Sequence, residues 1–116
     1  MRSVTPEDSP QPADILRCLW TEFQVRTVLH EGGPRLFGAF LNAGSVDELF
    51  LTIAPQVAGR EGSVARPGLV ADIAFAPEEA RWAELQSLRI AGSHLFLRLS
   101  FGQPAQAEHV QGCRAT

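Results

Sequence analysis

The stretch whose reading decides the fold is VLHEGGPRLFGAFLNAG, Val28 to Gly44. Its first residues close a short β-branched run, Val25 to Leu29 (VRTVL), which reads as a strand. Pro34 fits the first turn of a helix, where a missing N–H costs nothing. Leu36, Phe37, Phe40 and Leu41 then form one apolar stripe, and Gly44 supplies the left-handed residue that stops the helix. Gly38, Ala39 and Ala43 are small enough to let that helix pack close to a sheet. Between strand and helix stand Glu31, Gly32 and Gly33. A strand that runs into a helix N-terminus leaves amides pointing outward under the positive end of the helix dipole, and an anion can rest there. Glycines at the junction have two readings: a turn that needs φ above zero, or room for a ligand's oxygens to reach the amides without meeting a β-carbon. The pair lacks the three-glycine spacing of a dinucleotide fingerprint, so both readings stay open on spacing alone.

Working outward, Ile15, Leu16, Leu19, Trp20 and Phe23 mark one face of a first helix beginning at Ala13, with Asp14 as its N-cap and Arg17, Thr21 and Glu22 facing water. Val46 to Ala54 (VDELFLTIA) is apolar on both sides over most of its length and reads as an inner strand covered on both faces. Pro55 to Pro77 is rich in glycine and proline and reads as a long loop, with LVADIAFA as its one hint of order, a short edge strand. PEEARWAEL forms a helical turn or leads into the last strands. Leu85–Ala91 and His94–Phe101 flank Gly92-Ser93, a two-residue junction that favours a β-hairpin, and Leu95, Leu97 and Leu99 alternate with Phe96, Arg98 and Ser100. Residues 1–12, with three prolines, read as an arm, and 102–116 as a polar tail.

A chain of 116 residues with 45% hydrophobic content builds one domain around one core. Ten basic against 13 acidic residues give no electrostatic reason to expect nucleic acid or an acidic membrane surface. The start is polar and no apolar run approaches the roughly 18 residues of a span, which makes the cytoplasm the default compartment. Cys18 and Cys113 are too few to frame a disulfide scaffold and are expected as free thiols.

Other candidates have plain readings. His30 beside Glu31 is within reach of a ligand, but a strand-end histidine is more often simply half-buried. His94 and His109 lack Cys or carboxylate partners at ligand spacing, so no metal site is expected. Asp47 and Glu48, adjacent on a strand, point to opposite faces and do not make an acid–base pair. Trp20, Trp82, Phe37 and Phe40 read as core or interface, since no basic residues interleave with them. Arg60 and Arg66 read as solvated loop residues, with contact to a 2′-phosphate as the alternative.

Taken together, Glu-Gly-Gly at a strand end, the helix ending in Ala-Gly, the Val-Asp-Glu-Leu strand, the Ala-Pro after it and the closing GSHLFLRLSF hairpin resemble the C-terminal half of the riboflavin-biosynthesis reductase domain. This is the reductase part of bacterial bifunctional deaminase-reductases, shared with stand-alone pyrimidine reductases, and the resemblance covers residues 13–101. It implies a dihydrofolate reductase-like α/β fold, three layers with a mixed sheet ending in a hairpin. It further implies NADPH as cofactor, with Gly32, Gly33, Arg35 and Leu36 lining its phosphates, and Glu31 near the ribosyl part of the substrate. The implied reaction is hydride transfer to the ribosyl carbon of an aminouracil (pyrimidine) ribosyl phosphate, in a homodimer, with no side chain assigned as catalytic: the protein positions two bound molecules. The family's domain is longer at its start, where its opening strands and substrate-phosphate contacts lie. The alternative is therefore a non-catalytic remnant of the fold that acts as an interaction or dimerisation piece.

Overall fold

The computed structural model describes residues 9–59, 61–63 and 68–102. The arm before residue 9, the tail from 103, Arg60, Arg66, His109 and Cys113 lie outside the described residues. Where the composition predicts one core, the contacts divide the chain into two compact units, residues 9–45 with 68–74 and residues 46–63 with 75–102 among those described.

The first unit carries two helices. Helix α1 spans Pro12–Phe23, with Pro12 in its first turn. Its N-cap is Gln11, not the expected Asp14, which lies in the first turn and pairs with Arg17 at 3.2 Å. Pro12, two residues earlier, already fixes the helical φ and so moves the start back. The helix ends on Gln24 in the left-handed region (φ 55°), where the Val25 amide donates to Leu19 C=O at 3.1 Å. Ile15, Leu16 and Leu19 are half-buried, but Trp20 and Phe23 are 51% and 70% exposed. The Trp20 ring carries the Arg26 guanidinium 5.5 Å from its centroid, so this tryptophan is not core.

Helix α2 spans Pro34–Asn42. It buries Phe37, Phe40 and Leu41, the buried hydrophobic residues among those described, and it stops as the glycine predicts. Gly44 has φ 68°, its amide donates to Leu41 C=O at 3.1 Å, and that of Ser45 donates to Phe40 C=O at 2.9 Å. These two bonds satisfy carbonyls the helix leaves open, the Schellman arrangement. Residues 24–33 run without helix or ladder, so the strand predicted for Val25–Leu29 is not formed: β-branched residues favour extended backbone, but a strand also needs a neighbour to pair with.

The second unit is a three-stranded sheet: β1 Glu48–Ile53, β2 Glu84–Ala91 and β3 His94–Ser100, in the order β1-β3-β2. Both pairings are antiparallel, so the parallel pairing of a mixed sheet is not found among the described residues. The expected inner strand is an edge here, and Phe50 on it is 67% exposed. The hairpin turn has Gly92 at φ 53° and Ser93 at φ 65°, the two positive angles of a type I′ turn.

Register places aliphatic residues in three rows on one face: Leu49–Leu99–Leu85, Leu51–Leu97–Leu88 and Ile53–Leu95–Ile90. A bulge between Leu85 and Ser87 makes the third strand fit, since it lets residues 85, 88 and 90 share a face despite their odd spacing. Gln86, the extra residue, donates through Nε2 to Ser100 Oγ at 2.7 Å. On the other face Arg98 donates two hydrogen bonds to the Glu48 carboxylate, and that contact with its charge holds the Arg98 guanidinium above its ordinary value. Glu48 is thus occupied in a cross-strand ion pair, while the Asp47 carbonyl accepts the Phe101 amide at 2.9 Å. A 3-10 turn at Pro77–Glu79 precedes β2, and LVADIAFA forms no strand.

Candidate functional site

The Glu31–Leu36 corner is built by the entry into α2. Gly33 is the N-cap, extended at φ −75° and ψ 176°, with no side-chain cap. Its carbonyl accepts the Phe37 amide at 3.1 Å. Neither glycine here has a positive φ, which removes the turn explanation left open by spacing.

The two glycines have different reasons. A β-carbon on Gly32 would lie 2.8 Å from His30 Nε2 and 3.0 Å from Leu36 Cδ2, so Gly32 makes room for the chain's own side chains. A β-carbon on Gly33 would meet nothing within 4 Å. Open space lies over the cap, beside the amides of Arg35 and Leu36, which occupy the first turn where an α-helix has no acceptor of its own. Among the described residues no backbone bond uses the amides of Gly32, Gly33, Arg35 or Leu36. This donor set suits a phosphate, and Gly33 leaves the approach free.

His30 lies beneath the corner. Its ring is tilted against Phe37 and Phe40, with centroids 6.2 and 5.7 Å away. Its Nε2 is buried and makes no hydrogen bond among the described residues. Glu31 is exposed at the end of the extended segment. Arg35 is exposed too, with Nε 2.9 Å from Asp72 Oδ2.

Asp72 is a residue that sequence reasoning missed. It belongs to segment 68–74, which packs on α2 through Gly38: a β-carbon there would lie 2.9 Å from Val70 Cγ1 and 3.1 Å from Ala71 O. The small residue thus seats this segment and not a strand. The Ala71 amide donates to Pro34 C=O at 3.2 Å, fastening the segment to the first turn of the helix. The hint of order in LVADIAFA is the one signal for it in the sequence, and the edge strand it suggests does not form. The remaining candidates have surroundings of their own. His94 contacts its own turn, Nδ1 to Gly92 O at 2.9 Å, and stacks beside Phe96. Trp82 is 85% exposed, and Cys18 is a free, exposed thiol. No helix among the described residues is long and apolar enough to cross a membrane.

Helices with an antiparallel sheet ending in a tight hairpin make an α/β chain, and the family it matches gives that chain the dihydrofolate reductase-like fold. The chain belongs to the family described as the RibD C-terminal domain, whose model matches residues 6–92. Over 48 residues it is 46% identical to the riboflavin biosynthesis protein RibD of Escherichia coli (strain K12), spanning 40% of this chain and 13% of that protein. Among solved structures it is similar to RibD of Acinetobacter baumannii, with a TM-score of 0.67 and 24% identity over 80% of this chain and 25% of that one. It is also similar to a pyrimidine reductase-like protein of Corynebacterium diphtheriae, with a TM-score of 0.62 and 26% identity over 82% of this chain and 37% of that one. The chain therefore spans well under half the length of each of these relatives.

Proposed function

We propose that this chain supplies the cofactor-phosphate corner of an NADPH-dependent reductase of the riboflavin-biosynthesis type. The observation that carries the reading is the Gly33 cap: open above, with the Arg35 and Leu36 amides free of backbone partners, in a chain of the RibD C-terminal domain family. When bound, NADPH would supply a hydride to the ribosyl carbon of a pyrimidine ribosyl phosphate; the ring C–O bond at that carbon would break as the C–H bond forms, and the freed oxygen would take a proton from solvent. The amides of Gly33, Arg35 and Leu36 bind the phosphates, the Arg35 guanidinium adds charge beside them, and Gly32 keeps the backbone uncrowded. Glu31, exposed at the end of the extended segment before α2, orients the ribosyl part of the substrate. No proton transfer is assigned to a side chain, since holding two reactants in contact accounts for much of such a rate. The working assembly is a homodimer.

Titrating the purified chain with NADPH and following nicotinamide fluorescence tests the cofactor half of this reading, and NADPH consumption with an aminouracil ribosyl phosphate tests the rest. Saturable binding supports it. A folded chain that binds no NADPH sinks it and favours the remnant of the fold, an interaction or dimerisation piece.

A further inference from the structure

We propose that Asp72 is a specificity-determining residue of this corner: its carboxylate holds the Arg35 guanidinium, and an incoming phosphate must displace it. This rests on the reading of the corner as a phosphate site. Three contacts register the segment 68–74 on α2. The Gly38 face admits Val70 and Ala71, the Ala71 amide bonds to Pro34 C=O, and Asp72 Oδ2 meets Arg35 Nε at 2.9 Å. Asp72 thus follows directly on a residue tied to the first turn of the helix, which brings its carboxylate to Arg35 beside the helix N-terminus.

The pair is a poor stabiliser. Its side chains are 80% and 63% exposed, where water screens an ion pair. Asp72 also holds φ 65°, a left-handed backbone that few non-glycine residues adopt. A weak, exposed pair exchanges easily. A phosphate offers the guanidinium two parallel acceptors and more charge than a carboxylate. The consequence is selectivity: a ligand must outbid Asp72, which favours a dinucleotide's linked phosphates, also held by the open amides, over a single small anion.

The test is a titration of the isotope-labelled chain with sodium pyrophosphate, following the Gly33, Arg35 and Leu36 amide resonances by NMR. It compares wild type with Asp72→Asn, a substitution that keeps the shape and tolerates the left-handed backbone. Removing one negative charge beside the site should tighten pyrophosphate binding about three- to tenfold at low ionic strength, a gain that fades in concentrated salt. In an Arg35→Gln background the gain should shrink, because the competed group is gone. If wild-type amides respond but Asp72→Asn binds no tighter, the role of Asp72 is overturned and the phosphate corner stands. An equal gain in the Arg35→Gln background overturns competition through Arg35. If the amides respond in neither protein, the phosphate corner fails and this inference fails with it.

Discussion

Replacing Gly33 by Asp should raise stability and weaken cofactor binding in the same molecule. Gly33 is the N-cap of α2 and has no capping side chain, and its β-carbon position is clear to 4 Å, so the aspartate enters without a clash. Its carboxylate then accepts hydrogen bonds from the Arg35 or Leu36 amide, as N-cap aspartates do. Over glycine the cap contributes a few tenths of a kcal/mol, and the charge at the helix N-terminus adds about 0.3–1 kcal/mol. The sum, about 0.5–1.5 kcal/mol, should raise the midpoint of thermal unfolding by several degrees in a chain this small, on the order of 4–8 °C per kcal/mol. The same carboxylate takes the amides the phosphates need and repels them. Losing one charge-assisted hydrogen bond costs about 1.5–3 kcal/mol, so NADPH affinity should fall by roughly 10- to 150-fold, more with the repulsion. Differential scanning fluorimetry and nicotinamide fluorescence measure the two effects on one preparation. A variant that binds NADPH like wild type would refute the corner as the phosphate site, and a destabilised variant would refute Gly33 as the cap.

Gly38→Ala should destabilise the chain by about 1–3 kcal/mol in urea unfolding, because its β-carbon collides with Val70 and with the Ala71 carbonyl, although alanine is the better helix former. A stabilised variant would mean that segment 68–74 does not pack on α2. Ser93→Gly should stabilise by about 0.5–1 kcal/mol by relieving the positive φ in the hairpin turn; a loss in thermal unfolding would argue against the type I′ turn. His30→Phe should stabilise by about 1–2 kcal/mol, since it removes a buried nitrogen without a partner and keeps a ring against Phe37 and Phe40. A clear loss of stability would show that Nε2 is satisfied in solution.

Much of the local structure was legible in the residues. The stripe of Leu36, Phe37, Phe40 and Leu41, with Pro34 before it and Gly44 after it, marks α2 at both ends. Gly92-Ser93 marks the hairpin, and the alternation after His94 marks the aliphatic face of β3. The misses have a common cause. Val25–Leu29 has strand composition without a partner, and Val46–Ala54 looks inner because its apolar residues do not say whether a neighbour covers them. β2, by contrast, is legible from the turn beside it and not from alternation, which the bulge at Gln86 interrupts.

The candidate site divides in the same way. Glu31, Gly32, Gly33, Arg35 and Leu36 are adjacent along the chain, so their meeting at the helix start follows from local geometry, and the sequence alone could find the corner. It could not say why each glycine is there. The ring of His30 folding over Gly32, the empty space above Gly33, the seat of Val70 and Ala71 on Gly38, and Asp72 reaching Arg35 are decided by tertiary packing. Caps, turns and periodic faces depend on residues a few positions apart, whose backbone angles and side-chain directions are set locally. Contacts such as Arg35 with Asp72 join residues far apart in the chain, and their meeting depends on the packing of segment 68–74 against α2.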